Sequence, residues 1–128
     1  RVVALVADQN VSQSGIFVDF FGVPASTARG PAVFALRTGA PLWYAWALKV
    51  DEGDVRYRIV LRKLVVEIGD GGEEDVRRIT QALNDALEAG IREHPEQYFW
   101  HHRRWKTRPP AEALPSRQAP PEQAGTAD

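Results

Sequence analysis

From Glu73 to Ile91 the apolar residues Val76, Ile79, Leu83, Ala86, Leu87 and Ile91 recur mostly at steps of three and four, the spacing that lines one face of an α-helix. A stripe of this kind has to be buried against another layer, which directs the search to what the rest of the chain can supply. Asp70-Gly71-Gly72-Glu73 has the spacing of a capping box, and Glu73, Glu74 and Asp75 put negative charge on the first turn, where the helix dipole favours it. Pro95 marks the far end.

The covering layer reads as strands. Val2 to Ala7 is an unbroken apolar run, the pattern of a strand buried on both faces of a parallel sheet, and Asp8-Gln9-Asn10 then falls at its carboxyl end, where ligand crevices form in open α/β sheets. Val11 to Gly22 reads as a loop holding a short strand. Ser26 or Thr27 is placed to cap a helix over about Ala28 to Thr38, with Pro31 in its first turn and Gly39 as its stop. Pro41 to Leu48 reads as a strand and Asp51-Glu52-Gly53-Asp54 as a turn. In the next strand Val55, Tyr57, Ile59 and Leu61 alternate with Arg56, Arg58 and Arg62, giving one apolar and one basic face. The arginines then line a solvated face or one that meets phosphates.

The expected fold class is therefore α/β, a mainly parallel sheet flanked by helices, with an extended hairpin near Pro41 to Ile68. Residues 1–108 form part of a single domain, and residues 109–128, rich in Pro, Ala, Glu and Gln, form a disordered tail. A formal net charge of -1 argues against nucleic acid as a whole-chain partner. With no cysteine there is no thiolate nucleophile and no disulfide. No apolar stretch approaches the roughly 18 residues a membrane-spanning helix needs.

Two stretches carry a more specific signal. One is Ala7-Asp8-Gln9-Asn10 followed by Gly15-Ile16-Phe17-Val18-Asp19-Phe20-Phe21-Gly22-Val23-Pro24-Ala25. The other is His94-Pro95-Glu96-Gln97-Tyr98-Phe99-Trp100-His101-His102-Arg103-Arg104-Trp105-Lys106-Thr107-Arg108-Pro109. With Arg37-Thr38-Gly39-Ala40-Pro41-Leu42 between them, they resemble the lipid A biosynthesis acyltransferases, the lauroyl and myristoyl transferase group of the lysophospholipid acyltransferase superfamily, over nearly all of residues 1–109.

The resemblance implies the C-terminal part of a glycerol-3-phosphate acyltransferase-like fold. It also implies transfer of a fatty acyl chain from acyl carrier protein to a hydroxyl of a lipid A precursor, at the cytoplasmic face of the inner membrane, with no cofactor or metal. In that superfamily the base is a histidine with Asp or Glu five positions later. Phe99, Lys106 and Thr107 stand five positions after His94, His101 and His102, so the pair is absent and the base is expected upstream of Arg1. The chain alone is then expected to be inactive. It is also expected to be poorly stable and prone to edge pairing, because the Val2 to Ala7 strand lacks a neighbour; a cooperative, monomeric unfolding transition would contradict this.

By the same resemblance, Asp8 and Gln9 position substrate or support the histidine, and Arg103, Arg104, Lys106 and Arg108 meet substrate phosphates or the acidic carrier protein. The bland alternatives are a loop-fixing Asp8 and a helix end with solvated charges. Tyr98, Trp100 and Trp105 either pack on the core or rest at a lipid interface, and Phe17, Phe20 and Phe21 read as core or as an acyl-chain contact. His101-His102 lacks the further ligands that a metal site requires. Two other readings remain: an acyltransferase acting on a different acceptor, such as a phosphatidylinositol mannoside or an ornithine lipid, and a noncatalytic module binding anionic lipid or nucleic acid through Tyr98 to Arg108.

Overall fold

A computed structural model describes residues 1–110. The expected tail from residue 111 lies outside the described residues. The order of elements is β1 (Ile16–Phe20), β2 (Val23–Thr27), α1 (Gly30–Thr38), β3 (Trp43–Glu52), β4 (Val55–Lys63), α2 (Glu73–Glu93) and a single 3₁₀ turn, Pro95–Gln97.

The helices follow local chemistry. α1 carries Pro31 in its first turn and stops at Gly39, whose φ of 66° lets its N–H reach the Ala35 carbonyl at 2.8 Å. Ser26 and Thr27 do not cap it. They end β2 instead, where the Ser26 hydroxyl donates to the Val11 carbonyl and the Thr27 hydroxyl to the Ala25 carbonyl. α2 begins where its charge pattern places it, yet the capping box does not form. The deeply buried Asp75 carboxylate turns back instead to accept the Gly69 and Gly71 N–H groups, at 2.9 and 2.7 Å.

Those two backbone donors hold the Asp75 carboxyl below the usual carboxylate range. A folded-state value lowered in this way contributes stability that is present above the unfolded carboxylate value of about 3.9 and is lost as pH falls through the folded one. Asp75→Asn is therefore expected to lower stability at neutral pH and to flatten its acid dependence. Denaturant melts between about pH 5 and pH 2 read this out, and parallel curves for both proteins would refute it.

The strands differ from expectation. β1 pairs only with β2 and β3 only with β4, both antiparallel, so the mainly parallel sheet is replaced among the described residues by two hairpins packed with two helices. Phe21 and Gly22, with φ of 53° and 72°, make the two-residue turn between β1 and β2. Val2 to Ala7 forms no strand, and Val2 and Val6 are 96% and 88% exposed. An apolar run becomes a strand only where a ladder partner is offered, and the outer edge of β1 is already taken.

α2 takes it. Arg77, Gln81, Asn84 and Glu88 form a second, polar stripe along the helix. Arg77 donates to the Phe17 carbonyl, Gln81 bonds both the N–H and the carbonyl of Asp19, Asn84 donates to that same carbonyl, and Glu88 accepts the Phe21 N–H at 2.6 Å. Polar side chains of α2 thus replace the third strand that the backbone groups of β1 would otherwise need. Beside this stripe, Val76 and Ile79 pack with Ile16, Val18 and Ala32, while Leu87 and Ile91 pack with Phe20 and Ala25.

The long hairpin between Pro41 and Ile68 forms as expected, turning through Gly53 at a φ of 59°. Its faces are reversed. Tyr57, Ile59 and Leu61 point outward, each at least 60% exposed, and Arg62 faces α2, where it meets Glu93 at 2.8 Å. The cause is cross-strand registry. Tyr44 pairs with Arg62 and Trp46 with Val60, and paired residues share a face, so burying Tyr44 and Trp46 against α2 takes Arg62 and Val60 with them.

Candidate functional site

The two stretches singled out in the sequence meet in space. After the 3₁₀ turn Pro95–Gln97 the chain continues without regular structure, folding through short turns such as His102 N–H to Phe99 carbonyl and Lys106 N–H to Arg103 carbonyl. This brings it against the segment that follows Asp8 and Gln9. The Asn10 N–H donates to His102 Nε2 at 2.8 Å, the Asn10 carboxamide donates to Thr107 Oγ1 at 3.0 Å, and its oxygen accepts the Thr107 N–H at 3.0 Å. Nothing in the sequence singled out Asn10, His102 and Thr107 for this contact, since partners more than ninety positions apart leave no local pattern.

Next to this clasp, Val11 and Ser26 exchange hydrogen bonds: the Val11 N–H to the Ser26 carbonyl, and the Ser26 hydroxyl to the Val11 carbonyl. Arg104 joins them from below. Only 1% exposed, its guanidinium donates to the Ser26 carbonyl at 2.9 Å and to the Thr27 hydroxyl at 2.6 Å, reaches Asn84 Oδ1 at 3.4 Å, and lies 5.2 Å from the Phe20 ring centre. Burial lowers its pKa, and the charges of Tyr98 and Asp8 oppose that shift. A guanidinium enclosed in this way is not presented to a phosphate in solvent, so the phosphate contact expected of Arg104 gives way to support of β2 from within the core. Arg103, Lys106 and Arg108 are exposed.

The aromatics divide likewise. Phe20 is fully buried, with the Trp105 ring at 5.4 Å and the Tyr98 ring at 6.2 Å. Phe21 packs edge-on to Phe20 at 4.9 Å under the Arg92 guanidinium, which also pairs with Glu88. Tyr98 and Trp105 are thus core packing. Phe99 and Trp100 stay half or more exposed.

Tyr44 and Tyr98 both pack against the cluster around Phe20. Burial, reinforced by the negative charge of Asp8, pushes the Tyr44 phenol up to about 12, with Arg62 opposing; Tyr98 is raised by the same two causes, with Arg104 opposing. Asp8 is itself exposed. Tyr44 was missed in the sequence, although its place in the alternation Leu42, Tyr44, Trp46, Leu48 could have marked it as facing inward. A separate cleft of about 240 Å³ opens between the end of α1 and the hairpin, with Leu36, Leu42, Leu64, Val66 and Ile79 among its walls. None of the described helices is long and apolar enough to cross a membrane.

Residues 1–107 match the family model of bacterial lipid A biosynthesis acyltransferases. Among curated proteins, the chain is 37% identical over 103 residues to a phosphatidylinositol mannoside acyltransferase of Mycolicibacterium smegmatis, covering 79% of this chain and 30% of that protein. It is 35% identical over 109 residues to the Mycobacterium tuberculosis protein of the same name, covering 79% and 29%. To the lipid A biosynthesis palmitoleoyltransferase of Escherichia coli it is 32% identical over 109 residues, covering 83% and 34%. The chain therefore spans about a third of the length of these relatives.

Proposed function

The chain belongs to the bacterial lipid A biosynthesis acyltransferase family, and on that premise we propose that it forms the acceptor-side portion of an enzyme that transfers a fatty acyl chain to a hydroxyl of a glycolipid. The observation that carries the reading is the family match over residues 1–107, which includes both stretches joined at Asn10. In the proposed reaction the acceptor oxygen attacks the thioester carbonyl carbon of acyl carrier protein. A histidine outside these 128 residues takes the hydroxyl proton, and the thiolate of the carrier leaves and is protonated. No cofactor or metal enters this scheme. The 128 residues alone are expected to show no turnover.

In this reading Asp8 and Gln9 orient the sugar hydroxyls, and Arg103, Lys106 and Arg108 receive acceptor phosphates or the acidic surface of the carrier, at the cytoplasmic face of the inner membrane. Arg103→Gln combined with Lys106→Gln is expected to raise KM for one of the two substrates by roughly tenfold, about 1.4 kcal/mol of binding. Unchanged KM for both would remove these side chains from the binding surface.

The acceptor has two forms to distinguish. A lipid A precursor follows from the motif resemblance, whereas the higher identity to the mannoside enzymes favours a phosphatidylinositol mannoside. The deciding experiment expresses the complete open reading frame that contains these residues and supplies acyl carrier protein thioester with each acceptor in turn. Acylation of the mannoside lipid supports the second form and acylation of the disaccharide the first. If thioester is supplied intact and neither acceptor is acylated, the reading fails.

A further inference from the structure

We infer that the outward side of the segment from Phe99 to Arg108 is a docking surface for an anionic lipid bilayer, with Phe99 and Trp100 entering the headgroup layer and Arg103, Lys106 and Arg108 meeting lipid phosphates. The surface gives the cations of the proposed acceptor site, on which this rests, a bilayer as their partner.

The segment has two sides, and its contacts fix which is which. Tyr98, His102, Arg104, Trp105 and Thr107 are held inward by Phe20, β2 and Asn10. Between Phe99 and Arg108, the residues left exposed are Phe99, Trp100, His101, Arg103, Lys106 and Arg108. No carboxylate occurs from Gln97 to Pro110. Short turns keep the exposed side chains together: the Phe99 carbonyl accepts the His102 N–H at 3.1 Å, the Arg103 carbonyl accepts the Lys106 N–H at 3.0 Å, and the Phe99 and His101 rings lie 5.6 Å apart.

The aromatic part decides the kind of partner. Phe99 is 67% and Trp100 50% exposed. The indole N–H of Trp100, its one polar group, donates to the Pro95 carbonyl at 2.7 Å, so the ring surface left to solvent is carbon. Tyr98 meets that ring edge-on at 5.0 Å and holds it in place. A free phosphate or an acidic protein surface is matched by cations alone, whereas bare rings beside cations fit a partner that is negatively charged at its surface and apolar just beneath. Because the inward residues already tie the segment to β2 and Asn10, docking orders little that is loose.

The test mixes the complete open reading frame with phosphatidylcholine vesicles, with or without phosphatidylglycerol, whose acyl chains are brominated near the headgroup. The emission of Trp100 is the difference between the parent and Trp100→Phe. It is expected to be quenched on the mixed vesicles, less so as salt is added, and weakly on phosphatidylcholine alone. Arg103→Gln combined with Lys106→Gln and Arg108→Gln should lower the affinity read from the quenching by roughly a hundredfold. Phe99→Ser should lower it as well, with its salt dependence kept. Quenching is read at the ring itself, so membrane contact elsewhere in the protein does not imitate it. The inference is overturned if Trp100 is not quenched on the mixed vesicles, if quenching is equal with and without phosphatidylglycerol, or if the cation variant leaves it unchanged. It is also overturned if acyl carrier protein or single-stranded RNA, and not vesicles, changes the Trp100 emission. No turnover is read, so a failure to acylate either acceptor leaves this result standing.

Discussion

Arg104→Met is expected to destabilise the fold by about 2–4 kcal/mol, while Arg103→Met and Lys106→Met stay within about 0.5 kcal/mol of the parent. Two effects compete at Arg104. Burying an unpaired guanidinium costs several kcal/mol, so a methionine of comparable length could relieve the core. Against that, its removal leaves the Thr27 hydroxyl and the Ser26 carbonyl short of a donor inside the protein, with the Ser26 carbonyl keeping only the longer Val11 bond at 3.3 Å. Each hydrogen bond from a charged donor contributes about 1.5–3 kcal/mol, and the contact with Phe20 adds to them. Two such bonds outweigh the relief. Equilibrium denaturation of the three variants decides the matter, and a neutral or stabilising Arg104→Met would show that the charge is a net cost to the fold. Arg104→Lys should recover little, since a single ammonium cannot span both acceptors in the geometry of a planar fork.

Gly90→Ala is expected to cost about 2 kcal/mol, against the usual direction for an exchange inside a helix. Helix propensity alone would favour alanine by about 1 kcal/mol. A Cβ at this position, however, would lie 1.7 Å from Trp46 Cζ3 and 1.9 Å from Cε3, so the indole would have to leave its seat on α2. Overpacking of this kind costs about 1–3 kcal/mol or more, and displacing Trp46 also disturbs Tyr44, whose ring lies edge-on at 6.4 Å. The cycle with Trp46→Leu isolates the contact: in that background Gly90→Ala should become neutral or stabilising. If Gly90→Ala raises the melting temperature of the parent protein, the hairpin does not dock on α2 through Trp46.

Both predictions depend on features with unequal legibility in the chain. The long helix, its start after Gly72, the stop of α1 at Gly39 and the turn at Gly53 are consequences of spacing and of residues that tolerate particular dihedrals, so neighbours in sequence were enough to reveal them. The motif stretches around Asp8 and from His94 to Pro109 pointed to the family in the same local way, and the family match bears that out.

Pairing and burial were settled at longer range. Alternation in β4 established that Tyr57, Ile59 and Leu61 share a face, but only the register with Tyr44 and Trp46 determined that this face turns away from α2. Four arginine and lysine positions near the C-terminus looked alike as a basic run, and only the position of β2 made Arg104 a core residue while its neighbours stayed in solvent. Val2 to Ala7 had the composition of a buried strand and pairs with none of the described strands, while α2 places polar side chains along the edge of β1. Periodicity records what one residue does relative to the next few. Which partner satisfies a backbone edge or a buried charge is a competition among groups far apart in the chain, and it is resolved only when they are packed together.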